Sequence, residues 1–579
     1  MQHRRSVWAP AFVVGISTLF TWQVVGQDLD EPIEIKPGTA LAQLISEMED
    51  IGTIGDVAVM RAAANSVPAR RFRSDLPDWL LAHYRRNHSP SRVLSQADSP
   101  DPTGGFPLAL ESLYTWMLLH QDLKPDDSPA LKSATTIVVE GNTRISGNHA
   151  KPRSESDIRI NPNSPNLIIA ASNNLGGSQQ AQFFSSDGGV TWGQTLLPLQ
   201  PGDSHHTDPT VDWSSDGTAW ATTIGVDAGT AGLQMRAYRS TDGGQTWEFD
   251  AAFSGEQNSA DKQLMWIDRS STSPFKDSIY VIWHNNRPVF VNRRLPGDGP
   301  DKGWQVPQRL SGAETTGTGI GGDITTNAAG ELFAVWPDTG SRNIFVRKSA
   351  DGAAQFTAAV TIARTNVAFD IGIPAFARRR LLIYASVAAF RDSTRDDVYV
   401  SWSDLAGGAG CRTSVNEPGN DVNSACTTRV FFAKSTDGGA SWKAAVKVGD
   451  STEKVDQFNQ RLAIDPKSGN LGIIYAQSGN GADRTKSDIF FQASIDRGDT
   501  WSRAVKVTTA PTDETTVQAD LGNQYGDYNG LSVVDGDFFP CWTDRSDGKA
   551  ESIFTAKISL RVGASGALET LINPKPDEP

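Results

Sequence analysis

From about Thr135 onward, apolar and polar residues alternate in short runs, the period of half-buried β-strands. "LIIAASN" at Leu167, "TAWATTI" at Thr218, "SIYVIWH" at Ser278 and "LFAVWPD" at Leu332 open the series. "VYVSWSD" at Val398, "LGIIYAQ" at Leu471 and "FFPCWTD" at Phe538 continue it. Each is followed by a second run: "AQFFSS", "LQMRAYRS", "PVFVNRR", "NIFVRKS", "RVFFAKS", "DIFFQAS" and "SIFTAKIS". The result is seven strand pairs, with an aromatic column at Trp283, Trp336, Trp402, Tyr475 and Trp542. Upstream the period is helical. "TALAQLISEMED" puts Leu41, Leu44, Ile45 and Met48 on one face, and "SDLPDWLLAHYRRNH" and "FPLALESLYTWMLLHQDL" carry helix signals. A Ser/Pro-rich linker, "HSPSRVLSQADSPDPTGG", separates the last two.

A polar turn recurs just after the pairs: "SSDGGVTW" at Ser185, "STDGGQTW" at Ser240, "STDGGASW" at Ser435 and "SIDRGDTW" at Ser494. Its aspartates, Asp187, Asp242, Asp437 and Asp496, come in pairs about 55–59 residues apart, which fits one four-stranded propeller blade. "SADGAAQF" at Ser349 and "RLPGDGPDKGW", ending in Trp304, are worn copies. Ser and Asp can bond turn amides, the glycines permit positive φ, and the Trp can anchor the outer strand. The turn is therefore a structural fastener. Seven pairs predict an all-β, seven-bladed propeller, with "TTIVVEGNTRIS" (Thr135 to Ser146) completing the last blade and removing an exposed edge.

The pattern S-x-D-x-G-x-T-W is the Asp box, and over roughly Thr135 to Leu560 the chain resembles the sialidase-like (BNR/Asp-box repeat) propeller superfamily. The resemblance implies that the boxes lie at the blade periphery, and it makes six blades the alternative count. The expected organisation is a signal peptide (1–26), a helical N-terminal region with its linker (27–134), the propeller (135–562) and a C-terminal tail (563–579). Arg4 and Arg5 ahead of an apolar run ending near Gly26 give the secretory reading: secreted, periplasmic or extracellular, with no membrane span after signal removal. A formal charge of -14 argues against nucleic acid as partner. In an exported chain Cys411 and Cys426 can form a disulfide that stabilises by about 3 kcal/mol, while Cys541 reads as a buried small hydrophobe.

Innermost strands line the axis of a propeller, so chemistry is expected from the segments just before each pair. Each such segment carries an aspartate: Asp157, Asp208, Asp261, Asp323, Asp370, Asp456 and Asp527. No stretch has metal-ligand spacing, and neither metal nor cofactor is expected. The superfamily resemblance implies an arginine clamp for a sugar carboxylate, a tyrosine nucleophile helped by a glutamate, and an aspartate acid. Arg159 in "DIRINP", Arg461 in "NQRLAID" and Arg379 within "FARRRLL" match the clamp. Tyr528, with Tyr525 beside it as a substrate contact, matches the nucleophile, Asp208 the acid and Glu256 the tyrosine's partner. His205 and His206 offer a separate proton-shuttling pair. The function implied is a glycoside hydrolase of exo-sialidase type acting on anionic sugars of a glycan or glycoconjugate. The alternative is a non-catalytic propeller that binds glycan or protein.

Overall fold

The computed structural model describes residues 134–562, apart from 298–301, 312–318, 408–409, 413–415, 449–450 and 452–453, together with short strands at Ser6–Val7, Ile33–Glu34 and Ala567–Thr570. Residues 1–135 with 562–568 form one compact unit and residues 136–561 with 569–579 another. The three helices expected upstream of Thr135, the signal peptide and the tail beyond Thr570 lie outside the described residues. Among those residues there is no α-helix, and no helix long and apolar enough to cross a membrane.

Residues 136–561 build a seven-bladed propeller. Blade 1 is Arg153–Ile160, Ile168–Asn174, Ala181–Ser185 and Gly193–Leu196, each strand antiparallel to the next. Blades 2 to 6 repeat that meander, starting at the inner strands Asp203–Trp213, Ala260–Ile267, Asp323–Thr326, Ala385–Arg391 and Gln457–Ile464. In blade 7, Gly530–Val534, Asp537–Asp544 and Ser552–Thr555 acquire an outer strand from the start of the propeller. Thr143–Arg144 pairs with Phe554 and Thr555. The ring thus closes with the predicted segment, which also places Ile137 opposite Leu560.

The aromatic column packs as the spacing implied. Trp283, Trp336, Trp402, Tyr475 and Trp542 are fully buried on second strands, directly across from Phe290, Phe345, Phe431, Phe490 and Phe554. Ring centroids in these pairs are 5.9 to 6.3 Å apart. Cross-strand aromatic pairs of this kind add about 0.5–1.5 kcal/mol each beyond the area they bury.

All four Asp boxes share the serine–aspartate–hydroxyl bonding, and the first three also close through the tryptophan Nε1. In the first, Ser185 Oγ donates to Asp187 (2.8 Å) and accepts from Gly189 N (2.9 Å). Asp187 also accepts from Thr191 N (2.9 Å) and Thr191 Oγ1 (2.5 Å), and Trp192 Nε1 closes on Gly189 O (3.0 Å). The turns at Asp242, Asp437 and Asp496 repeat the aspartate bonds. The worn copy keeps the core of the motif, with Ser349 Oγ to Asp351 at 2.8 Å and Ala353 N to Ser349 Oγ at 2.9 Å. The glycine two residues beyond the aspartate of each box lies against an aromatic side chain of the blade before it: Gly189 on Phe539, Gly244 on Phe184, Gly439 on Phe333 and Gly498 on Phe432. The boxes therefore pin blade to blade.

Hydrogen bonds from Thr191 and Ser185 hold Asp187 down at about 2, and those from Ser435 and Ser441 do the same for Asp437. A folded value below the unfolded one near 3.8 stabilises at neutral pH, and that stabilisation is lost as pH falls from about 4 toward 2. Thermal melts should therefore drop steeply between pH 4 and pH 2. Replacing Asp187 and Asp437 by Asn should flatten that acid limb, and a limb left unchanged would refute the assignment.

One feature differs from the expectation. "AFDIGIPAFARRR" is not an inner strand. It forms a separate hairpin, Asp370–Ile371 with Leu381–Leu382, and the inner strand of blade 5 is Ala385–Arg391. Pro374 has no N–H to give a ladder there, so the segment loops out as a hairpin. Cys411 and Cys426 are joined by a disulfide at the base of the loop in blade 5, and Cys541 is free and buried.

Candidate functional site

Inner strands carry the site because several of them are bulged at the same place. Their ladders skip at Ser154/Ser156, between Asp261 and Leu264, and between Phe458 and Arg461, and a similar skip faces Asp208. At those skips Glu155, Asp208, Lys262 and Asn459 have φ of 55, 55, 51 and 47°. A left-handed non-glycine residue costs about 1–2 kcal/mol, and such strain gathers where a side chain must be aimed.

Hydrogen bonds between blades fix which positions are equivalent. Val211 N, three residues beyond Asp208, donates to Asp157, two beyond Glu155 (3.1 Å). The same offset joins Met265 N to Thr210 Oγ1 (3.4 Å), Val387 N to Asp323 (2.9 Å) and Leu462 N to Ser386 Oγ (3.2 Å). One offset further along, Ile160 N donates to Ser532 Oγ as Ile267 N does to Asp212. One residue per blade thereby forms a ring at the entry of the axis: Glu155, Asp208, Lys262, Gly321, Tyr384, Asn459 and Tyr528. Gly321 has φ +58°, and any Cβ there would overlap the Tyr384 ring. Glycine at that position leaves the tyrosine its place.

Within the ring, Lys262 is 2% exposed and its ammonium lies 4.1 Å from the Tyr528 ring centroid and 4.9 Å from that of Tyr384. Among the described residues no carboxylate pairs with that ammonium at salt-bridge distance, and the buried Tyr528 hydroxyl has no hydrogen-bond partner. Asn173 ties the two acids together: its Nδ2 donates to Glu155 (2.7 Å) and its Oδ1 accepts from Asp208 N (2.8 Å). Asp208 further accepts from Thr207 Oγ1 (2.9 Å) and Lys262 N (3.2 Å). Glu155 accepts from Asp527 N (3.2 Å) and Arg379 Nη2 (3.3 Å), and Arg379 also pairs with Asp527.

Burial, with Asp261 nearby, pushes Asp208 up to about 6. Burial, then Asp527 and Asp208, raises Glu155 as well. The two acids titrate as a linked set. Burial and Arg461 bring Lys262 down to about 8, and burial with Asp208 and Glu155 raises Tyr528.

The residues singled out in the sequence divide. Asp208, Tyr528 and Arg379 meet at this upper mouth. Glu256 does not; it is exposed in the loop before blade 3, and Glu155 stands by Tyr528 in its place. Tyr525 is buried between Phe376 and Phe458, at centroid distances of 5.2 and 5.1 Å, and anchors the inserted hairpin. Arg159 sits near the far end of its strand, because Asn161 and Pro162 begin the turn that follows it. Its guanidinium pairs with Asp157 (2.6 Å), and that of Arg461 pairs with Asp323 (2.9 Å). Both arginines border a cavity at the other end of the channel, so the three guanidinium groups do not converge as expected. His206 is buried against Tyr238 and Asp203, and burial takes it down to about 4. Among the seven aspartates, Asp456 is taken by the buried Arg484 and Asp370 lies on the hairpin.

The BNR/Asp-box repeat model matches residues 238–249, the second of the four boxes. No curated protein matches the sequence. Among solved structures, an α-L-arabinofuranosidase of Fusarium graminearum bound to an iminosugar inhibitor is 12% identical, over 71% of this chain and 98% of that one, with a TM-score of 0.39. The intramolecular trans-sialidase of Ruminococcus gnavus, with oseltamivir carboxylate, is 12% identical over 72% and 96%, with a TM-score of 0.36. The polysaccharide lyase Uly1 is 10% identical over 72% and 91%, with a TM-score of 0.42. The sheet topology of the chain itself makes it a seven-bladed propeller, and it carries BNR/Asp-box repeats.

Proposed function

We propose that the upper mouth is the active site of a glycoside hydrolase, with Tyr528 as nucleophile, Glu155 as its base and Asp208 as acid. The observation that carries this is the buried, unpartnered Tyr528 hydroxyl with two buried acids near it, Asn173 bridging the Glu155 carboxylate to the Asp208 backbone amide. Linked acids in one low-dielectric site retain a proton between them, which supplies one acid and one base at the same pH. Three donors converge on Glu155, from Asn173, Asp527 N and Arg379, and favour its ionised form. Those donors oppose the burial that raises Glu155, and on this reading the shared proton is assigned to Asp208; a Glu155 carboxyl that stayed protonated through neutral pH would refute it.

In the forward step Tyr528 Oη attacks the anomeric carbon and its proton passes to Glu155, while Asp208 protonates the departing oxygen. In the second step Asp208 takes a proton from water, the water oxygen displaces Oη, and Glu155 returns the proton to Tyr528. Lys262, lying over the tyrosine ring, stabilises the negative charge that develops on it.

The sugar is the point at which the exo-sialidase form of this reading is revised. Four carboxyl groups (Glu155, Asp208, Asp261, Asp527) surround two cations (Lys262, Arg379), so acids are in excess there. A neutral glycoside fits that mouth better than a carboxylated one. Export of the enzyme is part of the proposal, and the Cys411–Cys426 disulfide supports an oxidising compartment. The test is release of a fluorogenic aglycone from parallel panels of neutral and acidic glycosides. Turnover confined to neutral members is expected. Turnover of the acidic panel alone would restore the sialidase form, and none on either would favour a propeller that only binds glycan or protein.

A further inference from the structure

Arg159 and Arg461 stood out in the sequence and are not used at the upper mouth. They border a cavity of about 410 Å³ at the opposite end of the axial channel, with Trp266, Arg269 and Arg391 also in its wall. Four blades each contribute one guanidinium to this hollow. Each is held through Nη1 by a carboxylate: Arg159 by Asp157 (2.6 Å), Arg461 by Asp323 (2.9 Å), Arg269 by Asp212 and Arg391 by Glu331. Their Nη2 groups make no hydrogen bond among the described residues. The carboxyl group in the lining, Asp268, is occupied by Ser273 Oγ (2.5 Å) and Ser270 N (3.1 Å).

What faces the hollow is thus a set of fixed donors with an aromatic wall, since Trp266 is oriented by its Nε1 bond to Thr326 (2.8 Å). Guanidinium groups already locked by their own partners lose little entropy on meeting a ligand, and their planar edges match a carboxylate. None of the seven ring residues lines this cavity, so it is distinct from the upper mouth. We propose that it is a second ligand site, for a compact carboxylate of about the size of one sugar ring, such as a uronic acid. It stands independently of the hydrolase reading.

The probe is D-glucuronate, titrated calorimetrically into the full chain, with D-glucose as the neutral control. Arg391 is the wall arginine with the most solvent access, and Glu331 keeps Lys348 as a partner (2.7 Å) when it is replaced, so Arg391→Gln should fold. Arg269→Gln is the second variant. Glucuronate should bind the wild type and Asp208→Asn equally, with about tenfold or greater weakening in each arginine variant, the loss expected for one charge-assisted bond. Glucose should give no saturable heat. The proposal is overturned if glucuronate fails to bind at about 50 mM, a concentration well above any specific site of interest. It is equally overturned if glucose binds as well, if both arginine variants bind unchanged, or if Asp208→Asn abolishes binding and so places the ligand at the upper mouth.

Discussion

Asp208→Asn should lower kcat on an ordinary glycoside by about 10²–10⁴-fold, the contribution of a positioned general acid. The substitution keeps the side chain's shape and its link to Thr207, but an amide cannot deliver the proton. The deficit in kcat/KM, which reports the first step, should shrink to a small factor on a dinitrophenyl glycoside, whose leaving group departs without protonation. On that substrate kcat stays low, because Asp208 also activates water in the second step. That selective rescue separates an acid from a merely structural residue, which would slow both substrates alike. The pH profile gives a second, independent reading. Asp208 is held up at about 6, so its protonated form is lost as pH rises through that value and kcat should fall with it. The basic limb should be absent in Asp208→Asn. Tyr528→Phe should be equally impaired with either leaving group, because the nucleophile is needed whatever departs. If Asp208→Asn were equally impaired in kcat/KM on both substrates and kept the basic limb, Asp208 would not be the acid.

The Asp boxes were legible because their side chains bond to amides within the same seven-residue turn. The local sequence contains the whole interaction, and even the worn copy at Ser349 keeps it. Blade count and ring closure were legible for a similar reason: period-two strand pairs and one unmatched strand leave few arrangements. The site was harder. Glu155 and Lys262 are aimed into the axis by bulges, and a single skipped residue reverses which side chains face the channel. Nothing in "SESD" or "SADKQ" announces that skip, although the recurrence of a polar residue shortly before each pair hinted at it. Arg159 was misplaced along its strand. At about 3.3 Å per residue, four positions beyond Glu155 put it some 13 Å down the channel, too far to share a ligand group with the ring. Tyr525 and Tyr528 lie three residues apart with opposite fates, and only the inserted hairpin, with Phe376, explains why the first became packing.

Gly244→Ala should be among the most destabilising single-methyl changes in the propeller, by roughly 2–5 kcal/mol. Two costs combine. Gly244 has φ +89°, where an L side chain meets its own backbone, and its Cβ would lie 2.8 Å from Ile169 Cγ2 and 3.4 Å from Phe184 Cβ. Those neighbours belong to blade 1, both sit in the core shared with Trp213 and Trp247, and Ile169 is fully buried. Neither can yield without opening the seam between blades. Gly217→Ala is the matched control. Its φ of +87° is nearly the same, but nothing lies within 4 Å of the added methyl, so only the backbone cost of about 1–2 kcal/mol remains. Urea unfolding of the two variants therefore isolates the inter-blade contact as the difference in their free energies. Equal destabilisation would mean that the box glycines are needed for turn geometry alone. A larger loss at Gly244 means that each box also holds its blade to the one before, which is what keeps the seven ring residues at a common height around the axis.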